Sequence, residues 1–244
     1  MNKRGQVSIF IILSILIVGF IIIFFIIYNG DFSIKRTINP EIQPIYNYVS
    51  DCLKITGEDA VEYAGFTGGY YTIPNESIDE GIAYYYDKEL NRMPSKEKIE
   101  KELSDYVNGL TFICIKEFLQ FPDFNVTEGE ISTSTEILDG KVVFNVDYPL
   151  SIKKGDNVYE IERFEDIKVP VRLLTIYNVA EMLIQDHMEN EGATCLSCMN
   201  DWSEQYDLYF AMDDYSSDTV IFSITDRNSS IKDKDYTFSF ANRY

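Results

Sequence analysis

Residues 139–157 read DGKVVFNVDYPLSIKKGDN. Val142, Phe144, Val146, Tyr148, Leu150 and Ile152 fall on every second position, and the residues between them are less uniformly apolar. Side chains of a strand alternate between its faces, so this spacing describes a strand with one face turned into a core. Asp139-Gly140 before it and Lys154-Gly155-Asp156-Asn157 after it have the residues of hairpin turns, where glycine accepts a left-handed backbone. A three-stranded antiparallel meander over residues 125–171 follows. Its first strand, around ISTSTEIL, is polar enough to be an edge.

Working outward, helical and strand patterns alternate with clear punctuation. From Pro40 to Ala64 the residues Ile42, Ile45, Val49, Leu53, Ala60 and Tyr63 give an apolar helical face, with Gly65 as its stop. GGYYTIP and IAYYYD read as two short tyrosine-rich strands forming a hairpin. Ser95 can cap a second helix, along which Ile99, Leu103, Tyr106, Leu110 and Ile113 recur until Pro122. A third runs from Val171 to Glu189, with Leu174, Tyr177, Val179, Leu183 and Ile184 available for burial. DWSEQYD is a short helical turn, and LYFAM, TVIFSI and YTFSFANRY are strands. The pattern predicts an α+β fold with about three helices and antiparallel β-meanders.

The other end of the chain carries a different signal. Residues 7–27 contain no ionisable side chain and are interrupted only by Ser8, Ser14 and Gly19. At about 1.5 Å per residue, 21 residues of helix reach roughly 31 Å, the thickness of a hydrocarbon core. The expectation is an N-terminal transmembrane helix within a signal-anchor segment, residues 1–30, with the membrane as partner through residues 7–27. Lys3 and Arg4 precede the run and Asp31 follows it, which keeps the N-terminus cytoplasmic and puts the rest outside. The run ends in FFIIYNGDF, with no small-residue cleavage pattern of a secretory signal peptide. Residues 31–40, rich in turn formers, read as a stalk, and residues 41–244 as an extracellular domain. A second boundary near Asp123 would divide that domain into two subdomains.

The start KRGQVSIF resembles the class III signal of archaeal type IV pilin-like proteins, in which a basic residue and a glycine precede the cut. The resemblance implies processing between Gly5 and Gln6, with the apolar stretch retained. Counted from Gln6, the fifth mature residue is Phe10, where such pilins commonly carry a glutamate that pairs with a neighbour's amino terminus. That departure points to a minor pilin-like protein or a plain anchor. RGQVSIF, YVSDCLK, FTGGYYTIP and YTFSFANRY together are similar to uncharacterised, singly anchored surface proteins of small-genome archaea, a family that implies an address but no activity.

The formal charge is −19, from 40 acidic and 21 basic residues. Beyond the anchor the balance is 19 basic against 40 acidic residues, a net of −21. Such a surface repels phosphate backbones, which excludes nucleic acid as an expected partner and favours basic ones. The four cysteines, Cys52, Cys114, Cys195 and Cys198, are an even set and predict disulfides outside the cytoplasm. Three pairings exist. Cys52 with Cys114 would staple the first two helices, leaving Cys195 and Cys198 to close a CLSC ring; a redox dithiol and a four-cysteine zinc site are the functional rivals. Asn75, Asn125 and Asn228 head glycosylation sequons.

His187, the only histidine, is the residue through which a Ser-His-Asp or Cys-His mechanism would have to pass. It sits near a helix C-terminus, where solvation or the helix dipole accounts for it. Asp226 in DRNSS and the group Asp213, Asp214 and Asp218 place oxygens close together for calcium, although neither segment has an EF-hand pattern. The tyrosines between Tyr70 and Tyr86 suggest a contact face. The expected function is a non-enzymatic, membrane-anchored envelope protein, pilin-like at its start and without a cofactor. It would assemble with, or contact, envelope or pilus-type proteins or copies of itself. The alternative is an exported enzyme, either a hydrolase or a thiol oxidoreductase using Cys195 and Cys198.

Overall fold

Period two is realised in full between Lys141 and Lys154: all six alternating apolar residues are buried, at 4% exposure or less. The computed structural model describes Ser14 and residues 16–20, 38–190 and 193–244. Two units emerge, Met1–Asn39 and Pro40–Tyr244. In the second, the chain opens with α1 (Gln43–Thr67), β1 (Tyr84–Asp87), β2 (Leu90–Asn91) and α2 (Lys96–Ile115). Strands β3 (Asn125–Glu128), β4 (Ser132–Leu138), β5 (Lys141–Lys154) and β6 (Asn157–Val169) come next. The chain finishes with α3 (Leu173–Glu189), α4 (Leu196–Tyr206), β7 (Tyr209–Ser216), β8 (Thr219–Ile231) and β9 (Lys234–Arg243).

The α+β architecture stands, with four α-helices and a short 3₁₀ turn in the unit Pro40–Tyr244 rather than three helices. The transmembrane helix does not stand. Among the described residues no helix is long and apolar enough to cross a membrane. Of residues 7–27 only Ser14 and 16–20 are described, and they are helical. The rest of the run, and the Gly5–Gln6 processing position, lie outside the described residues.

Strand β5 is the spine of one sheet. Along one edge it pairs antiparallel with β6, and along the other it takes two successive partners: β4 against Lys141–Asp147 and β3 against Leu150–Lys153. The break between β3 and β4 faces Pro149, whose carbonyl accepts the Gly129 amide at 2.7 Å. A Cβ at Gly129 would lie 3.2 Å from the proline ring, a tight approach that favours glycine at this edge. The second sheet has the order β2-β1-β9-β8-β7. Within it β1 runs parallel to β9, Tyr84 opposite Ala241 and Tyr86 opposite Asn242, whereas the other pairs are antiparallel. Turn signals predict only neighbours in sequence, so a meander was the expectation; β1 and β9 are joined by no turn.

Helix α1 packs against α2, β6 and β9 and so touches both sheets. It continues past the expected stop at Gly65 and ends at Gly68, whose φ of 72° is the left-handed cap. Ser95 caps α2 as its sequence indicates, its hydroxyl accepting the Lys98 amide. The far end of α2 is closed from outside: the Tyr48 hydroxyl donates to the carbonyls of Cys114 and Ile115 at 2.8 and 2.9 Å. GGYYTIP is a loop and not a strand. The Tyr71 and Thr72 amides donate to the buried carboxylate of Glu102, which removes their need for a strand partner.

Candidate functional site

The cysteines pair as Cys52–Cys114 and Cys195–Cys198, with Cα separations of 5.6 and 5.2 Å. The first bond joins α1 to α2 across 62 residues, which in the chain-entropy picture contributes about 4 kcal/mol. The second closes a ring spanning three residues, for which the same arithmetic gives only about 2 kcal/mol. With its sulfurs bonded to each other, the CLSC pair does not provide the thiolates of a zinc site.

That second bond sits in a more specific place than its sequence shows. Cys195 is the N-cap residue of α4, and its Sγ accepts the Cys198 amide at 3.2 Å. DWSEQYD therefore belongs to an eleven-residue helix that begins at the disulfide. One Asp186 carboxylate oxygen and both sulfurs lie within 4.8 Å of one another, and all three residues are half-buried. Asp186 comes from the last turn of α3, where its carboxylate also accepts the Asn190 side-chain amide at 2.9 Å. Nothing in the sequence spacing marks Asp186, because its neighbours come from a different helix.

Next to Asp186 the side chain of His187 points the other way, into the core, where it is fully buried. Its Nδ1 donates to the Leu183 carbonyl at 2.7 Å, which leaves Nε2 to accept from the Tyr244 hydroxyl at 2.9 Å, with Thr194 Oγ1 at 3.2 Å. Tyr86, Phe222 and Tyr244 surround the ring. Burial lowers its pKa, with the Leu183 carbonyl and Asp186 acting in the opposite sense. The histidine is a core residue that ties the chain's last side chain to α3, neither a solvated one nor a base held by a carboxylate.

Of the carboxylates considered for calcium, Asp226 and Asp218 are otherwise engaged. Asp226, fully buried, meets Arg172 side on: Nε donates to Oδ2 at 2.9 Å and Nη2 to Oδ1. Ser229 and the Asn228 amide donate to the same carboxylate. Arg172 also donates to the carbonyls of Tyr206 and Asp207 at the C-terminus of α4. Burial alone would raise the Asp226 pKa, yet the guanidinium, hydroxyl and amide outweigh it and lower it. Asp218 accepts the hydroxyls of Ser216 and Thr219 in the β7–β8 turn, while Asp213 and Asp214 are exposed on β7.

Tyr84, Tyr85 and Tyr86 are buried in β1 and form no contact face. The surface of that region is instead an open groove of about 500 Å³, lined by Phe66, Ile73 and Pro74 together with the acidic Asp79 and Glu80. Asn75 also lines it, and the sequon residues Asn75, Asn125 and Asn228 are all exposed. Asn228 donates to Asp207 at 2.6 Å. No known protein family, curated protein or solved structure matches the chain.

Proposed function

We propose that the chain is a non-enzymatic envelope protein, pilin-like at its N-terminus, whose unit Pro40–Tyr244 works outside the cytoplasm and makes contacts with other envelope proteins or with copies of itself. The apolar sequence 7–27 would keep it at the membrane. The observation that carries the reading is the Cys52–Cys114 bond between α1 and α2, since disulfides of this kind persist in oxidising surroundings. The acidic surface and the groove lined by Asp79 and Glu80 suit a partner segment that is basic with an apolar face.

The test is made on native cells. Peptide masses from the protein's N-terminus read the processing: a chain starting at Gln6 fits pilin-type maturation, and an intact Met1 fits a plain anchor. Alkylation before lysis should leave Cys52 and Cys114 unmodified in the membrane fraction. Full-length protein recovered from the cytosol with reduced Cys52 and Cys114 overturns the proposal. For the groove, Asp79→Lys with Glu80→Lys should cut crosslinking to envelope partners severalfold, and unchanged crosslinking moves the contact elsewhere.

A further inference from the structure

The two disulfides have different surroundings. Cys52 is buried and its bond holds together two helices of 25 and 20 residues, 62 residues apart in sequence. The Cys195–Cys198 ring joins nothing that α4 does not already hold, because Met199 donates its amide to the Cys195 carbonyl in the first helical turn. As a staple it is nearly redundant. As a reactive pair it is well placed: both cysteines are half-buried rather than enclosed, and the Sγ of Cys195 already accepts a backbone amide at a helix start. A helix N-terminus stabilises negative charge, and a sulfur leaving as a thiolate carries that charge.

We propose that Cys195–Cys198 is a thiol–disulfide exchange site that takes electrons from, or returns them to, a dithiol of an external protein or small molecule. A thiolate of the dithiol bonds to Cys195 Sγ, and the electron pair of the S–S bond departs on Cys198. The dithiol's second thiolate attacks its own sulfur in this mixed disulfide, and Cys195 leaves onto the Cys198 amide. The dithiol ends as a disulfide and its two protons and two electrons end on Cys195 and Cys198. The reverse sequence oxidises the pair. Asp186 is a positioning residue that acts by its charge: an anion within 4.8 Å of both sulfurs repels the incoming thiolate and slows exchange.

Full-length protein in detergent, equilibrated with graded ratios of reduced to oxidised dithiothreitol and then alkylated, reads each pair separately by peptide mass. Cys195–Cys198 should open reversibly at a ratio at least tenfold lower than Cys52–Cys114, with the near-UV circular dichroism of the folded domain retained. Opening of both pairs together, or of neither before unfolding, overturns the proposal. Cys198→Ser, which keeps the helix start, should form a mixed disulfide at Cys195 with oxidised glutathione, releasing one reduced glutathione; an unreactive Cys195 in that folded variant also overturns it. Asp186→Asn should speed reduction by glutathione about fourfold, the Coulomb effect of one charge at that distance in water-like surroundings. An unchanged rate removes Asp186 from the site.

Discussion

Gly65 shows how little room α1 has over β9. A Cβ there would sit 2.5 Å from the Thr237 carbonyl oxygen and 3.1 Å from the Tyr236 ring. Alanine normally gains about 1 kcal/mol over glycine inside a helix, but overpacking against backbone costs about 1–3 kcal/mol. Gly65→Ala should therefore give no stabilisation and a net loss of up to about 2 kcal/mol in urea titration, against the propensity effect. Arg172 is a stronger case. Its replacement by Met leaves the Asp226 carboxylate buried without its charge partner and should cost about 3–5 kcal/mol, whereas replacing both residues by apolar ones should recover much of the loss. Because the folded pKa of Asp226 is depressed, its stabilisation is present above the unfolded value near 3.9 and is lost as pH falls through the lower folded value. His187 works at higher pH. Its folded pKa is also depressed, so the unfolded chain binds the extra proton and stability drops as pH falls below about 6.5. A thermal melt followed from pH 7.5 to 5.5 should show this slope, and His187→Phe should flatten it.

Between elements, the bond from α1 to α2 is the main fastener. Cys52→Ala with Cys114→Ala should lower stability by about 4 kcal/mol, read from the shift of the urea midpoint. The elements that sequence reveals are those with a local cause. β5 declares itself because every second residue from Val142 to Ile152 is apolar, and α2 because Ser95 caps a periodic face. The elements it hides are set by distant partners. The Tyr70–Thr72 stretch looks like a strand until Glu102, from a helix 30 residues on, takes its amides. The tight turns at Lys88-Glu89 and Lys232-Asp233 have positive φ at both residues and contain no glycine or asparagine to announce it. Likewise the CxxC motif is plain in sequence, while its place at a helix start beside Asp186 is a product of the fold.

At the scale of the whole molecule, a charge of −19 on 244 residues must push on itself. Raising sodium chloride from 10 mM to 500 mM should increase the melting temperature, because counterions screen that repulsion over about 4 Å at the upper concentration. A fall on adding salt would mean that the local ion pairs outweigh the global field. The parallel pairing of β1 with β9 carries a consequence for biogenesis. Before β9 and Tyr244 are available, β1 has only the two-residue β2 beside it in the sheet, and His187 lacks the Tyr244 hydroxyl. A nascent chain therefore stays pliable until β9 has been made, and a truncation before Lys234 would leave the second sheet unzipped through its middle.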